Sequence, residues 1–203
     1  FCTKKVQTGK GHLRMIPSNV RSTKLQPLPK HTKNRRVGVF TLDDDEMKNM
    51  MGFDFAGRYP ITSQRGHKYI FIMYDYDTNY INAVPVKSRK TSEYLRAFQE
   101  CYDELARRGL TAQLVRLDNE VSKDLIQCIE SNKLEYQILS SGNHRNNPAE
   151  RAIQTFKSYF LSARAGTNPS FPKHCWDLLI PQTVIIINLI RPSRINPAIS
   201  AYT

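Results

Sequence analysis

The chain has 203 residues, a formal net charge of +12 and 40% hydrophobic residues, enough for one domain of ordinary size with a core of its own plus an extension. The longest uncharged apolar run, 178 to 190, holds 13 residues against the roughly 20 that a helix needs to cross a bilayer, and the first residues are basic and polar rather than apolar; neither a membrane span nor export is expected. Four cysteines, Cys2, Cys101, Cys128 and Cys175, form no C-x-x-C pair and read as reduced thiols inside a cell.

In chain order, the charge comes first. Residues 1 to 42 carry ten basic side chains and no acid, which leaves 20 basic against 18 acidic residues beyond them. Residues 1 to 46 also hold Pro17, Pro27 and Pro29 and no sustained apolar period, so they read as a basic, largely disordered leader. Such an arm grips phosphate backbones by counterion release, or serves as a solvated linker. The run Asp43 to Glu46 reads as a solvated acidic patch. A start at Phe1 and an end in "NPAISAYT" suggest a piece of a longer polyprotein.

From 47 to 190 the elements are those of one core. "MGFDFAG" and "HKYIFIMY" are aromatic and β-branched and form an antiparallel pair around a turn at Pro60 and Gly66. "YINAVPV" is a third strand, and Pro85 suits it to an edge. Leu95, Phe98, Cys101, Tyr102 and Leu105 recur at helical spacing, with Gly109 as the C-terminal stop. "AQLVRLD" is a fourth strand, "SKDLIQCIES" a helix capped by Ser122, and "LEYQIL" a fifth strand alternating Leu134, Tyr136 and Ile138 with polar residues. Pro148 starts a helix that runs to about 164 and buries Ala149, Ile153, Phe156 and Phe160. The run 178 to 190 is expected as a buried helix broken by Pro181, and 191–203 as the start of a C-terminal linker. The order βββαβαβ followed by helices predicts an α/β fold of the ribonuclease H-like type, a five-stranded mixed sheet flanked by helices.

Three acids stand where such a fold can gather them. Asp54 lies in the first strand between Phe53 and Phe55, Asp118 ends the fourth, and Glu150 lies in the first turn of the helix from Pro148, with Gln154 and Lys157 on its own face. Carboxylates about 4 Å apart repel by roughly 4 kcal/mol per pair at an effective dielectric near 20, so a cluster of them calls for a cation. Hard oxygen donors without thiolate or clustered imidazole favour Mg2+ or Mn2+. Asp75 competes with Asp54 for a place in that cluster, since the strand pairing that would decide is not fixed by periodicity.

"MGFDFAGRYPITSQRGHKYIFIMYDY", "RLDNEVS" and "HRNNPAERAIQTFK" together resemble the catalytic core of retroelement integrases, most of all those of copia-type retrotransposons. The resemblance covers about residues 50 to 203 and includes "RPSRINPAIS", similar to the segment by which copia-type proteins leave the core. It selects Asp54, Asp118 and Glu150 as catalytic and metal-binding residues holding two Mg2+ or Mn2+ ions. It implies DNA 3′-end processing and strand transfer on element ends and a target duplex, by a homo-oligomer without membrane contact. His144, Arg145, Gln154 and Lys157 are the expected DNA contacts. Glu120 and Pro148 stand at positions where the family often has glycine, and the amino-terminal zinc module has no counterpart, since Cys2 and His12 lack partners at ligand spacing. A related ribonuclease H-fold nuclease or DDE transposase, or an inactive nucleic-acid-binding relic, shares these motifs.

Overall fold

The computed structural model describes Val6, Lys10 and residues 49–110, 112–117, 121–138 and 148–203; the rest of the basic leader and the acidic run lie outside these. Strand β1 (Met50–Arg58) pairs antiparallel with β2 (Tyr69–Asp75), and β2 pairs antiparallel with β3 (Ile81–Val86). Helix α1 (Thr91–Arg107) leads to β4 (Leu114–Leu117), and α2 (Lys123–Ser131) to β5 (Glu135–Ile138). Both later strands join in parallel, giving the order β3-β2-β1-β4-β5. Hairpins make the antiparallel half, and helical crossovers, which parallel neighbours require, make the other.

Local chemistry accounts for the joints. The β1–β2 register slips between Phe55 and Arg58, where Gly57 takes a φ of +87° that a side chain would strain. Gly109, at φ +74°, closes α1 by donating to the Ala106 carbonyl, as its place in the sequence predicts. The Ser122 hydroxyl accepts the Leu125 N–H at 3.3 Å and caps α2.

The α1 face of the sheet is closed by an aromatic cluster in which Phe53 meets Phe71, Tyr94 and Phe98, and Phe55 stacks on Tyr94 at 5.0 Å. Helix α3 (Pro148–Ala165) packs on β1 and β2 with Ala149, Ile153, Phe156 and Phe160 buried, as expected. A 3-10 helix (Lys173–Leu178) then leads into α4 (Leu179–Ile190), which lies beside α3 and β3. The buried carboxylate of Asp177 holds the β1–β2 loop in place, accepting from His67 Nδ1 at 2.7 Å and Arg65 Nε at 2.8 Å, while Trp176 Nε1 donates to the Ile61 carbonyl.

Strand β3 is an edge strand, as Pro85 suggests. Its outer backbone is covered: Asn188 of α4 accepts from Ile81 N and donates to Ile81 O, at 2.9 and 2.8 Å. At that end of the edge no backbone group is left to pair with another strand.

Two expectations need correction. Pro181 does not break the apolar helix. It sits in the first turn of α4, where a missing N–H leaves no hydrogen bond unmade, and the kink falls earlier, in the 3-10 segment. Nor is that helix buried all round, because Ile185, Ile186, Leu189 and Ile190 are exposed. The apolar side of β5 is also open, with Tyr136 38% and Ile138 45% exposed.

Residues 191–203 fold back on the core. Pro192 and Ser200 form a bridge, the Asp77 carbonyl accepts from Arg194 N and Ile195 N at 3.2 Å, and the Arg108 guanidinium lies between the rings of Tyr80 and Tyr202. Among the described residues no helix is long and apolar enough to cross a membrane.

Candidate catalytic face

Strand alternation and aromatic packing fix where Asp54 points. The rings of Phe53 and Phe55 lie against Tyr94 of α1, so the residue between them faces the other side of the sheet. Asp54 is exposed there, and its Oδ1 accepts the Phe55 N–H at 2.6 Å. Helix α3 packs on the same two strands, β1 and β2, while α1 occupies the Phe53 side. Asp54 and the helix bearing Glu150 therefore share one face of the sheet.

Glu150 is exposed in the first turn of α3, where a carboxylate is favoured by the helix dipole. Gln154 and Lys157 are exposed on the same stripe, opposite Ile153 and Phe156. Asp118, His144 and Arg145 lie outside the described residues. The last described residue of β4 is Leu117, which is buried. Among the described residues no group of three or more His, Cys, Asp or Glu side chains is placed to hold a metal ion.

The register separates Asp54 from Asp75. Asp54 pairs with Ile72, while Asp75 pairs with Met51. Directly paired residues share a face, so Asp75 falls on the Phe53 side, away from Asp54. It is 4% exposed, and its carboxylate accepts the Thr78 N–H at 2.9 Å and the Thr78 hydroxyl at 2.5 Å. Burial pushes its pKa up, against those two hydrogen bonds. Asp75 is thus the closing residue of the β2–β3 turn.

Sequence reasoning passed over Arg116, which the β1–β4 register sets beside Gly52 on the Asp54 face. It is 5% exposed, and its Nε donates to Gln137 Oε1 at 3.1 Å. The signal was present: a charged residue inside an apolar strand, two positions before Asp118, must share that acid's side in an extended chain. Arg191 and Arg194 were also missed, because "RPSRINPAIS" reads as departing chain although it folds back on β2. A cavity of about 370 Å³ between α1, β3 and α4 has neither Asp54 nor Glu150 among its lining residues.

No known protein family and no curated protein sequence matches the chain. Among solved structures it is similar to a chain of the simian T-cell lymphotropic virus intasome in complex with PP2A regulatory subunit B56 gamma, with a TM-score of 0.60 and 13% identity. The match covers 75% of this chain and 52% of that one. The class of fold is therefore α/β and ribonuclease H-like, a five-stranded mixed sheet flanked by helices, similar to the fold of that intasome chain. At this identity the likeness concerns the fold alone.

Proposed function

We propose that this chain is the catalytic core of a retroelement integrase, of the copia type, acting on DNA as a metal-dependent polynucleotidyl transferase. The observation that carries the reading is the position of Asp54. It is an exposed carboxylate in the central strand of a ribonuclease H-like sheet, on the face covered by the helix that presents Glu150. Asp118 follows Leu117, the last residue of β4, directly in the sequence, and β4 is the parallel neighbour of β1.

The donor set suits a hard divalent cation. Asp54 and Glu150 offer carboxylate oxygens at the surface, and neither brings a thiolate or imidazole with it. Asp54, Asp118 and Glu150 would hold Mg2+ or Mn2+, which when bound supplies Lewis-acid charge to an in-line displacement at phosphorus. The protein's own part is orientation. Asp54 is fixed by the rings on either side of it and by the Phe55 N–H. Gln154 and Lys157, one and two turns beyond Glu150, lead a DNA backbone along α3, and His144 and Arg145, in the sequence before that helix, are the further proposed DNA contacts. In the first step water attacks a phosphodiester and frees a 3′-hydroxyl; in the second, that hydroxyl attacks a target phosphodiester and displaces its 3′-oxygen. Element ends and a target duplex are the partners, and assembly of several copies, with other polyprotein domains, brings two ends together.

Incubating the chain and its Asp54→Asn and Glu150→Gln variants with labelled duplex and Mn2+ tests the proposal. Cleavage and strand transfer by the parent, lost in both folded variants, support it. Activity that persists in Asp54→Asn refutes it, and binding without any cleavage would assign the chain to the inactive relics.

A further inference from the structure

We infer that Arg116, Arg191 and Arg194, gathered around Tyr74 and Tyr76, form a second phosphate-binding site for a nucleic-acid strand, beside the candidate catalytic face. The inference deepens the nucleic-acid reading above and rests on it for the class of ligand.

One row of paired residues runs across the sheet. Tyr74 of β2 pairs with Gly52 of β1, Gly52 with Arg116 of β4, and Arg116 with Gln137 of β5. Gly52 is two residues before Asp54, so this row lies on the same face, about 7 Å along the strand. The glycine carries no side chain to separate Tyr74 from Arg116.

Among the described residues no carboxylate is ion-paired with these three arginines. Arg116 is nearly buried, yet its hydrogen-bond partner is the neutral Gln137 amide, and no carboxylate among the described residues pairs with it. Burial lowers its pKa, opposed by the nearby Tyr76 hydroxyl. Arg191 donates through Nη2 to Asn79 Oδ1, while its Nε is buried without a partner. Arg194 lies flat on Tyr76, its Cζ 3.9 Å from the ring centroid, and also approaches Tyr74 at 6.0 Å. Burial lowers the Arg191 pKa, and the Arg194 charge acts in the same direction.

The described acids of the β2–β3 turn are committed elsewhere. The Asp75 carboxylate is closed by Thr78, and Asp77 Oδ2 accepts the Asn49 N–H at 2.5 Å. Confining like charges costs free energy that an anion would recover. A guanidinium stacked on a ring still has its in-plane N–H fork directed outward, the geometry that matches phosphate oxygens in pairs. Arg194 is exposed and reaches the ligand first, with the Arg191 and Arg116 charges behind it.

Duplex binding in EDTA, read over a salt series, tests this site without calling on catalysis. One lost phosphate contact should make the log-affinity slope shallower by about 0.9, or weaken binding about fivefold at 0.15 M salt. Arg194→Ala should show that loss and Arg116→Gln a comparable one, while Arg107→Ala, an exposed residue of α1 paired with Glu104, should match the parent. Should Arg116→Gln fail to fold, Arg194→Ala decides alone. A parental slope for Arg194→Ala overturns the inference. So does saturable calorimetric binding of inorganic phosphate that this variant abolishes, since that would mark a site for small anions. Catalysis with an unchanged Arg194→Ala slope sinks this site alone, and the expected slope change in a protein without catalysis sinks only the integrase reading.

Discussion

Replacing Asp177 with alanine removes the charge that holds the β1–β2 loop against the helices behind it. The carboxylate is 2% exposed, and it receives His67 Nδ1 at 2.7 Å and Arg65 Nε at 2.8 Å. Hydrogen bonds to a charged group contribute about 1.5 to 3 kcal/mol each when buried. The His67 bond earns that range, because its side chain is largely enclosed. Arg65 is half exposed and its contribution is screened, so the expected loss is about 2 to 3 kcal/mol at neutral pH. Burial acts to raise the Asp177 pKa, but the hydrogen bonds from His67, Arg65 and Ser63, with the Arg65 charge, together leave it lowered. A carboxyl whose pKa is lower in the folded state stabilises fully above its unfolded value of about 3.9, and loses that stabilisation as pH falls through the folded one. Urea melts of parent and Asp177→Ala at pH 7 and at successive steps below pH 4 read both effects. The gap between the two proteins should be widest at pH 7 and shrink in acid. A gap that is constant across the series would show that the side chain's packing, and not its charge, secures the loop.

Asn188→Ala should cost about 2 to 5 kcal/mol in chemical denaturation, because it strands the buried Ile81 N–H and C=O and removes a bond to the Val184 carbonyl; a loss below 1 kcal/mol would mean that the strand edge is not sealed by this residue. Asp75→Asn should retain most Mn2+-dependent cleavage, since the residue lies on the Phe53 face and closes a turn; equal loss in Asp75→Asn and Asp54→Asn would contradict the separation of the two acids. Deleting residues 1 to 42 should flatten the salt dependence of duplex binding by roughly 3 to 6 in log-log slope, fewer than the ten basic charges because a flexible arm engages only some of them. Matching slopes would make the leader a passive linker.

The order of elements was legible because each signal was local. Pro85 marked an edge strand by its own missing N–H, Gly109 a helix end and Ser122 a cap, and the last two are satisfied by bonds within a few residues. What was not legible depended on distant partners. Pro181 reads as a breaker unless the helix start at Leu179 is known, since the same residue is harmless in a first turn and disruptive in the middle. The choice between Asp54 and Asp75 required the β1–β2 register, which periodicity leaves open by one residue and so by one face of the sheet. Arg116 and Arg194 meet at Tyr76 through a chain segment that returns from 78 residues away. No local pattern announces such a return.

Anomalous diffraction from crystals grown with a DNA end and Mn2+ tests the central claim most directly. The account predicts Mn2+ peaks bound by Asp54 Oδ oxygens, with Asp118 and Glu150 completing the coordination, and their disappearance in Asp54→Asn. Peaks elsewhere, or peaks unaltered by that substitution, would contradict it.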